Sequence, residues 1–109
     1  MGHSLYGVYL HIAFSTKYRQ PFLDKQIQRE LYPYLAASIR NQGAKCLIVG
    51  GEVDHVHLLI MKGAIPSSPN LVKEIKRTSS MWIKTKGPAY RGFYWQNGSG
   101  VFSVHPTEA

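Results

Sequence analysis

Two histidines, His55 and His57, stand one residue apart within a run of residues that favour β-strands. Because side chains alternate between the two faces of a strand, both imidazoles point the same way, roughly 6.5–7 Å apart along the chain. Val56 and Leu58 then point to the opposite face, where a helix can cover them. Two imidazoles on one open face can share a divalent metal ion. The spacing by itself fits two partly exposed strand histidines equally well, and both interpretations stay open at this point.

Length and composition indicate one small globular domain over residues 1–109. The apolar fraction of 44% and the aromatic fraction of 12% are too high for a disordered chain. No apolar run approaches the ~18–20 residues that cross a bilayer, and no signal-peptide pattern opens the chain, so we expect a cytoplasmic protein without a membrane partner. The single Cys46 is expected to be a small core residue, which excludes a disulfide framework and a cysteine metal site.

The chain is strongly basic, with 13 Lys and Arg against six Asp and Glu. The net charge of +7 favours a polyanionic partner, although solubility alone would also explain it. Four of these charges lie together on a predicted helix, where Lys73, Arg77 and Lys84 form one stripe with Ser80, and Lys76 stands beside it. Like charges on one face mildly destabilise a helix, so we interpret the stripe as a phosphate-binding surface.

Hydrophobic periodicity predicts the elements that position the histidines. The first strand, over residues 5–16, alternates cleanly between apolar and mixed positions. Leu10 and Ile12 are expected to face the core, whereas Tyr9 and His11 face the other side. The pattern is typical of a half-buried strand with one wet face.

The first helix is predicted to begin at the N-cap Asp24 and to end at Gly43. Pro33 inside it is expected to kink the helix or to divide it in two. Residues 44–51, which are apolar and rich in β-branched side chains, predict a buried strand. A tight Gly50-Gly51-Glu52 turn would connect this strand to the histidine strand as an antiparallel hairpin.

A second helix is expected to be capped by Ser67 or Ser68, with Pro69 at its first position. Its core stripe is Leu71, Ile75, Ser79 and Trp82. The stretch over residues 86–100 is rich in glycine, aromatic residues and arginine, which suits base stacking on single strands or burial under the sheet edge. Residues 101–104 predict a last short strand.

This order of elements, β-α-β-β-α-β, is the ferredoxin-like split arrangement, an α+β fold. Both helices would cover one face of an antiparallel sheet. The other face would carry Tyr9, His11, His55 and His57, and it calls for a ligand, a nucleic acid or a second subunit. Single-stranded nucleic acid lies on such an open sheet in RNA-binding modules of this topology. The fold alone does not establish a function.

Four segments resemble the small insertion-sequence transposases of the HUH, single-tyrosine class and their domesticated repeat-associated relatives. The matching segments are YLHIAFSTK at 9–17, GEVDHVHLL at 51–59, LVKEIK at 71–76, and YWQNG at 94–98 leading into VFSV at 101–104. They occur in the family's order and cover nearly the whole chain. The combination is therefore specific, whereas the histidine pair alone is not.

The resemblance implies a metal-dependent DNA-processing site. In the family, histidines at the positions of His55 and His57 bind a divalent ion, usually magnesium or manganese, which polarises the scissile phosphate of single-stranded DNA. A tyrosine attacks that phosphate and becomes joined to the 5′ end of the strand. With two protein ligands the ion should bind weakly. His11 is a possible third ligand, whereas Asp54 is expected to orient a histidine or the turn.

The resemblance also implies the partners. The family acts on DNA hairpins at the ends of the mobile element, and two subunits form the working enzyme. Single-stranded or hairpin DNA and a homodimer are therefore expected here, and exposed sheet edges also favour pairing of subunits. The residues expected to bind DNA are Lys17, Arg19, Lys73, Lys76, Arg77 and Lys84.

The chain departs from the family pattern near its end. The family's nucleophilic tyrosine lies on a helix after the last strand, followed four residues later by a metal-binding glutamine, but here no tyrosine follows Tyr94. Thr107 and Glu108 look like the cap and first turn of that helix, and Ser99 replaces a usual aromatic. We therefore expect a domain truncated before the tyrosine helix, with no catalytic residue. The tyrosines that could substitute are Tyr9, Tyr18, Tyr90 and Tyr94, each also explained by packing or stacking.

These expectations define one main function and two alternatives. The main one is a transposase-family protein that binds single-stranded or hairpin DNA, carries the histidine metal site and does not cleave. The first alternative is a non-catalytic DNA-binding or regulatory module that competes with or dimerises with a full-length transposase. Such a module would be indifferent to loss of either histidine. A metal hydrolase of small substrates is the least favoured, because no general base accompanies the histidines.

Overall fold

The computed structural model describes residues 8–63 and 68–104, with side chains described over 9–63 and 70–101. The elements are β1 (Val8–Ser15), α1 (Lys25–Asn41), β2 (Lys45–Glu52), β3 (His55–Lys62), α2 (Ser68–Lys84) and β4 (Gly100–Val104). Short 3-10 helices cover Lys17–Arg19 and Pro88–Tyr90. The β-α-β-β-α-β order is confirmed. Residues 5–7 of the predicted first strand, the candidate cap Ser67, and Thr107 and Glu108 lie outside the described residues.

The four strands form one antiparallel sheet in the order β2-β3-β1-β4. The long central pair joins β1 to β3 from Val8 opposite Lys62 to Ser15 opposite His55. This strand order is that of the ferredoxin-like arrangement, so the predicted α+β fold is confirmed. The histidines therefore lie on an interior strand, whose backbone is held by hydrogen bonds from both sides.

The core lies between one face of the sheet and the two helices. Fully buried side chains come from alternate positions of the central strands and from one stripe of each helix: Ile12, Leu58, Ile60, Ile27, Leu31, Leu35, Ile39, Leu71, Ile75 and Ile83. Burying a large apolar side chain contributes about 1.5–3 kcal/mol, and this face accounts for most of the driving force for folding. The alternation predicted for β1 is confirmed, because Leu10, Ile12 and Phe14 are buried whereas Tyr9 and His11 are half-buried.

Helix α1 begins as predicted. The Asp24 carboxylate accepts a 2.9 Å hydrogen bond from the backbone N–H of Ile27, and Gly43 follows the helix with a φ of 86°. Of the two effects expected of Pro33, the division of the helix is wrong, since one helix runs from Lys25 to Asn41, and the kink stays a prediction. Leu31 and Leu35 are both fully buried, so core packing on either side of the proline outweighs the backbone hydrogen bond that it lacks.

Replacing Asp24 by alanine should lower the free energy of unfolding by about 0.5–2 kcal/mol at neutral pH, because α1 loses its N-cap. The hydrogen bonds from the Ile27 N–H and then from the Tyr90 hydroxyl hold the pKa of Asp24 below its ordinary value. A carboxyl group with a lowered folded-state pKa contributes stability above its unfolded pKa and loses it as the pH falls through the folded pKa. Urea unfolding between pH 2 and pH 7 checks this, and a pH-independent difference between the two proteins would contradict it.

The second strand differs from its prediction. β2 was expected to be buried, but it is an edge strand with β3 as its neighbour, and Leu47 and Ile48 are 43% and 51% exposed. The register shifts between Cys46 and Ile48, an irregularity typical of edges. Cys46 is only half-buried against the core, and this burial raises the pKa of its thiol. An apolar run cannot by itself distinguish an interior strand from an edge.

The hairpin turn is also displaced from its predicted place. Gly50 and Gly51 remain in β2, paired with His57 and Val56, and the two-residue turn lies at 53–54. The glycine pair therefore belongs to the strand. Close approach of β3 to these two residues explains why both are glycines.

Helix α2 buries its predicted stripe, with one change at its end. Leu71, Ile75 and Ser79 are fully buried, whereas Trp82 is half-buried and stacks on Tyr34 of α1 at a ring-centroid distance of 4.6 Å. Ile83 takes the last core position instead. In the described parts of the chain, neither helix is long and apolar enough to cross a membrane.

Candidate metal and nucleic-acid site

His55 and His57 share the face of the sheet that the helices leave open. Their ring centroids are 6.3 Å apart, and both side chains are half-buried. On the adjacent strand, the ring of His11 lies 5.7 Å from that of His57. Three imidazoles therefore form a row across β1 and β3, with His57 in the middle.

The row does not close into a three-ligand cage. Within residues 8–63 and 68–104, no group of three His, Cys, Asp or Glu side chains is placed to hold a metal ion. The structure thus brings His55 and His57 together and leaves His11 beside them as a neighbour. An ion on two imidazoles would take its remaining ligands from water or from a bound phosphate.

Asp54 is placed to orient His55, as the sequence predicted. One carboxylate oxygen lies 2.9 Å from Nδ1 of His55, and the other lies 3.2 Å from Nε of Arg19. The hydrogen bond to His55 and the charge of Arg19 together hold the pKa of Asp54 below its ordinary value, so it is an anion at neutral pH. An Nδ1–H that donates to this carboxylate leaves Nε2 of His55 as the ring nitrogen with a free lone pair.

The two glycines of β2 make room for the histidine strand. A Cβ added to Gly50 would lie 3.1 Å from Cε1 of His57, and one added to Gly51 would overlap the backbone oxygen of His55. Neither glycine has a positive φ, so close approach of β3, not backbone conformation, is what requires a residue without a side chain here.

Thr16 connects the segments around the histidines, and the sequence analysis did not single it out. It is fully buried; its N–H donates to the backbone oxygen of Asp54 at 2.8 Å, and its hydroxyl donates to that of Gln20 at 2.7 Å. A bridge also pairs it with Trp95. The available signal was its position, because a threonine that continues the buried face of β1 needs buried hydrogen-bond partners.

The six predicted DNA-binding residues have different partners in the structure. Lys76 is drawn inward, since its ammonium donates to the backbone oxygens of Gln96 and Gly98 at 2.7 and 2.9 Å, and burial lowers its pKa. Arg77 pairs with Glu74 on the same helix. Lys76 therefore ties α2 to the segment over 96–98, whereas the pair of Arg77 and Glu74 stays within the helix. Arg19 pairs with Asp54 as described, and Lys73 is exposed on α2.

The remaining two, Lys17 and Lys84, meet at a tyrosine. The ammonium of Lys84 lies 4.1 Å from the ring centroid of Tyr94, and that of Lys17 lies 5.9 Å from the same centroid. Lys17 and Lys84, which are 67 positions apart in the sequence, therefore both approach the ring of Tyr94. Lys84 also donates to the Ser80 hydroxyl of the predicted stripe at 2.7 Å, so this cluster joins the end of α2 to the loop after β1.

The aromatic run is divided between core and surface. Phe93 and Trp95 are buried and pack edge-to-face with ring centroids 4.7 Å apart. The Tyr90 hydroxyl donates to Asp24 at 2.8 Å. Tyr94, between the two buried rings, is 56% exposed. Of the two interpretations left open for this run, burial holds for Phe93 and Trp95.

The comparison with known families identifies the class of protein to which this domain belongs. The family model described as "Transposase IS200 like" matches residues 4–109. The chain therefore belongs to the IS200-like transposase family, which confirms the resemblance found in its sequence. No curated protein matches the chain.

Two solved structures have the same fold. A protein from Deinococcus radiodurans R1 assigned as a transposase superposes with a TM-score of 0.84 at 24% identity, covering 97% of this chain and 86% of that one. A REP-associated tyrosine transposase bound to a REP hairpin superposes with a TM-score of 0.69 at 12% identity. That match covers 96% of this chain and 61% of the other. At these identities the likeness extends to the fold.

Proposed function

We propose that this chain binds single-stranded or hairpin DNA in transposition by single-strand cleavage and transfer, with His55 and His57 as its divalent-metal ligands. The observation that carries the proposal is the pair of imidazoles 6.3 Å apart on an interior strand of an IS200-like transposase domain. The structural neighbour that holds a REP hairpin supports hairpin DNA as the partner. The net charge of +7 suits a polyanion.

The residues present fit a metal ion of the proposed kind. When Nδ1–H of His55 donates to Asp54, Nε2 of the same ring is left for a ligand, and Gly50 adds no side chain beside the ring of His57. The two imidazoles leave open positions for water and phosphate oxygens, which are the ligands that magnesium and manganese prefer. When bound, the ion would supply Lewis-acid polarisation of a phosphate. The protein's part is to hold the two nitrogens and leave room for the strand.

We propose further that these 109 residues bind DNA without cleaving it. No tyrosine follows Tyr94 in the sequence. Tyr9 shares the open face, but it lies four residues along β1 from Ala13, the partner of His57, which is about 13 Å away. That separation is too long for attack on a phosphate held at the histidines.

The regulatory alternative and the homodimer also belong to this proposal. A DNA-binding module without a nucleophile could compete with, or pair with, a full-length transposase. The exposed apolar side chains of Leu47 and Ile48 on the edge strand β2 support pairing with a second copy. A cytoplasmic location remains a prediction of the sequence.

A labelled DNA hairpin with single-stranded flanks, incubated with manganese and run on native and denaturing gels, tests the proposal. We expect a shifted band on the native gel and none that survives denaturation. A fully duplexed form of the same DNA serves as the competitor and should displace the hairpin poorly. A covalent protein–DNA band would show that one of the present tyrosines attacks, and absence of any shift would remove the DNA-binding function itself.

A further inference from the structure

We propose that Lys17, Tyr18, Lys84 and Tyr94, called the Tyr94 site below, form a binding site for an unpaired stretch of DNA beside the hairpin. The site rests on the proposed DNA-binding function and gives it a definite surface. It is separate from the histidine row and takes an unpaired base together with its phosphates. Its chemistry is that of aromatic rings and ammonium groups, without a metal.

The four side chains are linked through shared contacts. The Lys17 ammonium lies 5.5 Å from the ring centroid of Tyr18 and 5.9 Å from that of Tyr94, so it stands between the two rings. Lys84 contributes a second ammonium 4.1 Å from the Tyr94 centroid. Two rings and two positive charges are thereby held within one small area of the surface.

Both rings are available to a ligand. Tyr18 is 76% exposed and Tyr94 is 56% exposed, although the neighbours of Tyr94 in sequence, Phe93 and Trp95, are buried. Large aromatic side chains that are exposed side by side often mark a surface where a partner binds. A single exposed tyrosine is common on protein surfaces. Two exposed tyrosines with a lysine between them are typical of surfaces on which bases stack.

The backbone beneath the rings is fixed. The Lys17 N–H donates to the backbone oxygen of Tyr94 at 2.9 Å, and the Tyr18 N–H donates to the side-chain oxygen of Gln96 at 3.2 Å. Tyr18 and Arg19 both have a left-handed backbone, with φ of 58° and 57°, which disfavours residues with side chains of this size. Strained conformations of this kind persist where surrounding bonds impose them, and they concentrate at binding sites.

The position of the site relates it to the histidines. Ser15, the residue paired with His55, precedes Lys17 by two positions, which is about 7 Å of extended chain. A strand that stacks on the Tyr94 site therefore emerges at the same end of the sheet as His55. Bases in a duplex are stacked on each other and cannot reach the rings, so the site selects unpaired DNA.

Fluorescence anisotropy with two labelled hairpins tests the inference. One hairpin is blunt, and the other carries a short single-stranded tail; the quantity measured is the ratio of their dissociation constants. In the unaltered protein we expect the tail to tighten binding. Replacing Tyr94 by alanine should reduce that advantage about tenfold, in line with the loss of one stacked base, and Tyr94→Phe should keep it. Lys84→Gln should reduce it and also weaken its salt dependence.

Matched controls separate stacking from general effects. Met81→Ala removes a side chain of similar exposure, 59%, from another part of α2, and Lys45→Gln removes an exposed charge from the edge strand; both should leave the ratio unchanged. A tail of abasic nucleotides keeps the phosphates but has no bases to stack. With that tail, the unaltered protein should behave like Tyr94→Ala.

Two results would overturn the inference. If the blunt hairpin binds and the tail advantage is the same in Tyr94→Ala as in the unaltered protein, the Tyr94 site is not used although the DNA-binding function stands. If the unaltered protein binds neither hairpin, the DNA-binding function and the Tyr94 site both fail. Matching thermal unfolding curves for Tyr94→Ala and Tyr94→Phe show that a changed ratio does not come from misfolding.

Discussion

Manganese binding to this chain should fall by more than tenfold when His57 is replaced by alanine, and by a similar factor when His55 is replaced. Within the described residues no group of three ligands surrounds the pair, so each imidazole supplies half of the protein's coordination. Loss of one leaves a single ligand, which holds a hard divalent ion poorly. Titration of the apo-protein followed by electron paramagnetic resonance of free manganese measures the affinity directly, without DNA.

His11→Ala is the matched control for this prediction, because its ring lies only 5.7 Å from that of His57. Its removal should change the manganese affinity by less than about twofold. A loss as large as that of His57→Ala would show that three imidazoles bind the ion. Asp54→Asn should lower the manganese affinity about tenfold, since second-sphere partners of metal-binding histidines typically contribute about 10–100-fold to affinity. Equal manganese binding by all variants would contradict the metal site.

Replacing Gly51 by alanine should lower the free energy of unfolding by about 2–3 kcal/mol, the upper range for overpacking at a site that cannot relax. The added Cβ would overlap the backbone oxygen of His55, and its next neighbours, Val56 Cα at 2.9 Å and the His55 carbonyl carbon at 3.2 Å, are also backbone. Backbone in an interior strand cannot move aside, so β2 would have to shift from β3. Urea unfolding measures the change.

Gly50→Ala provides the comparison for Gly51→Ala. There the new Cβ would meet the ring of His57 at 3.1 and 3.2 Å, and a side-chain ring can rotate away. We expect a change in unfolding free energy below about 1 kcal/mol together with a several-fold loss of manganese affinity. The two substitutions should thus have different effects, with Gly51→Ala lowering stability and Gly50→Ala lowering manganese affinity. Equal destabilisation by both substitutions would show that the register of β2 on β3 differs from the one described.

Much of the fold follows from local sequence signals. Alternation identified β1, its buried face and the shared face of His55 and His57, because a strand has a side-chain period of two whatever surrounds it. The cap at Asp24 was predictable for a similar reason, since the unpaired N–H groups of a helix end need a local acceptor. The order of these elements was sufficient for the ferredoxin-like arrangement.

The errors have a common physical origin. The burial of β2, the place of its hairpin turn and the continuity of α1 through Pro33 all depend on neighbours distant in sequence. An apolar run has the same sequence pattern in an edge strand and in an interior strand. A glycine pair is equally consistent with a turn and with a position where the ring of His57 leaves no room for a side chain. Pro33 predicts a break in the helix because the core packing that compensates for its missing hydrogen bond involves residues distant in sequence.

By itself the sequence determined the class of fold, the IS200-like family resemblance and the histidine pair, because each depends on residue types at fixed local spacing. Only the tertiary structure decided which charges remain available at the surface. Lys76 looks equivalent to Lys84 along α2, yet the backbone oxygens of Gln96 and Gly98 bind Lys76, whereas Lys84 reaches the ring of Tyr94. The residue type fixes the charge of a side chain, but the groups that this charge contacts are fixed only when the chain has folded.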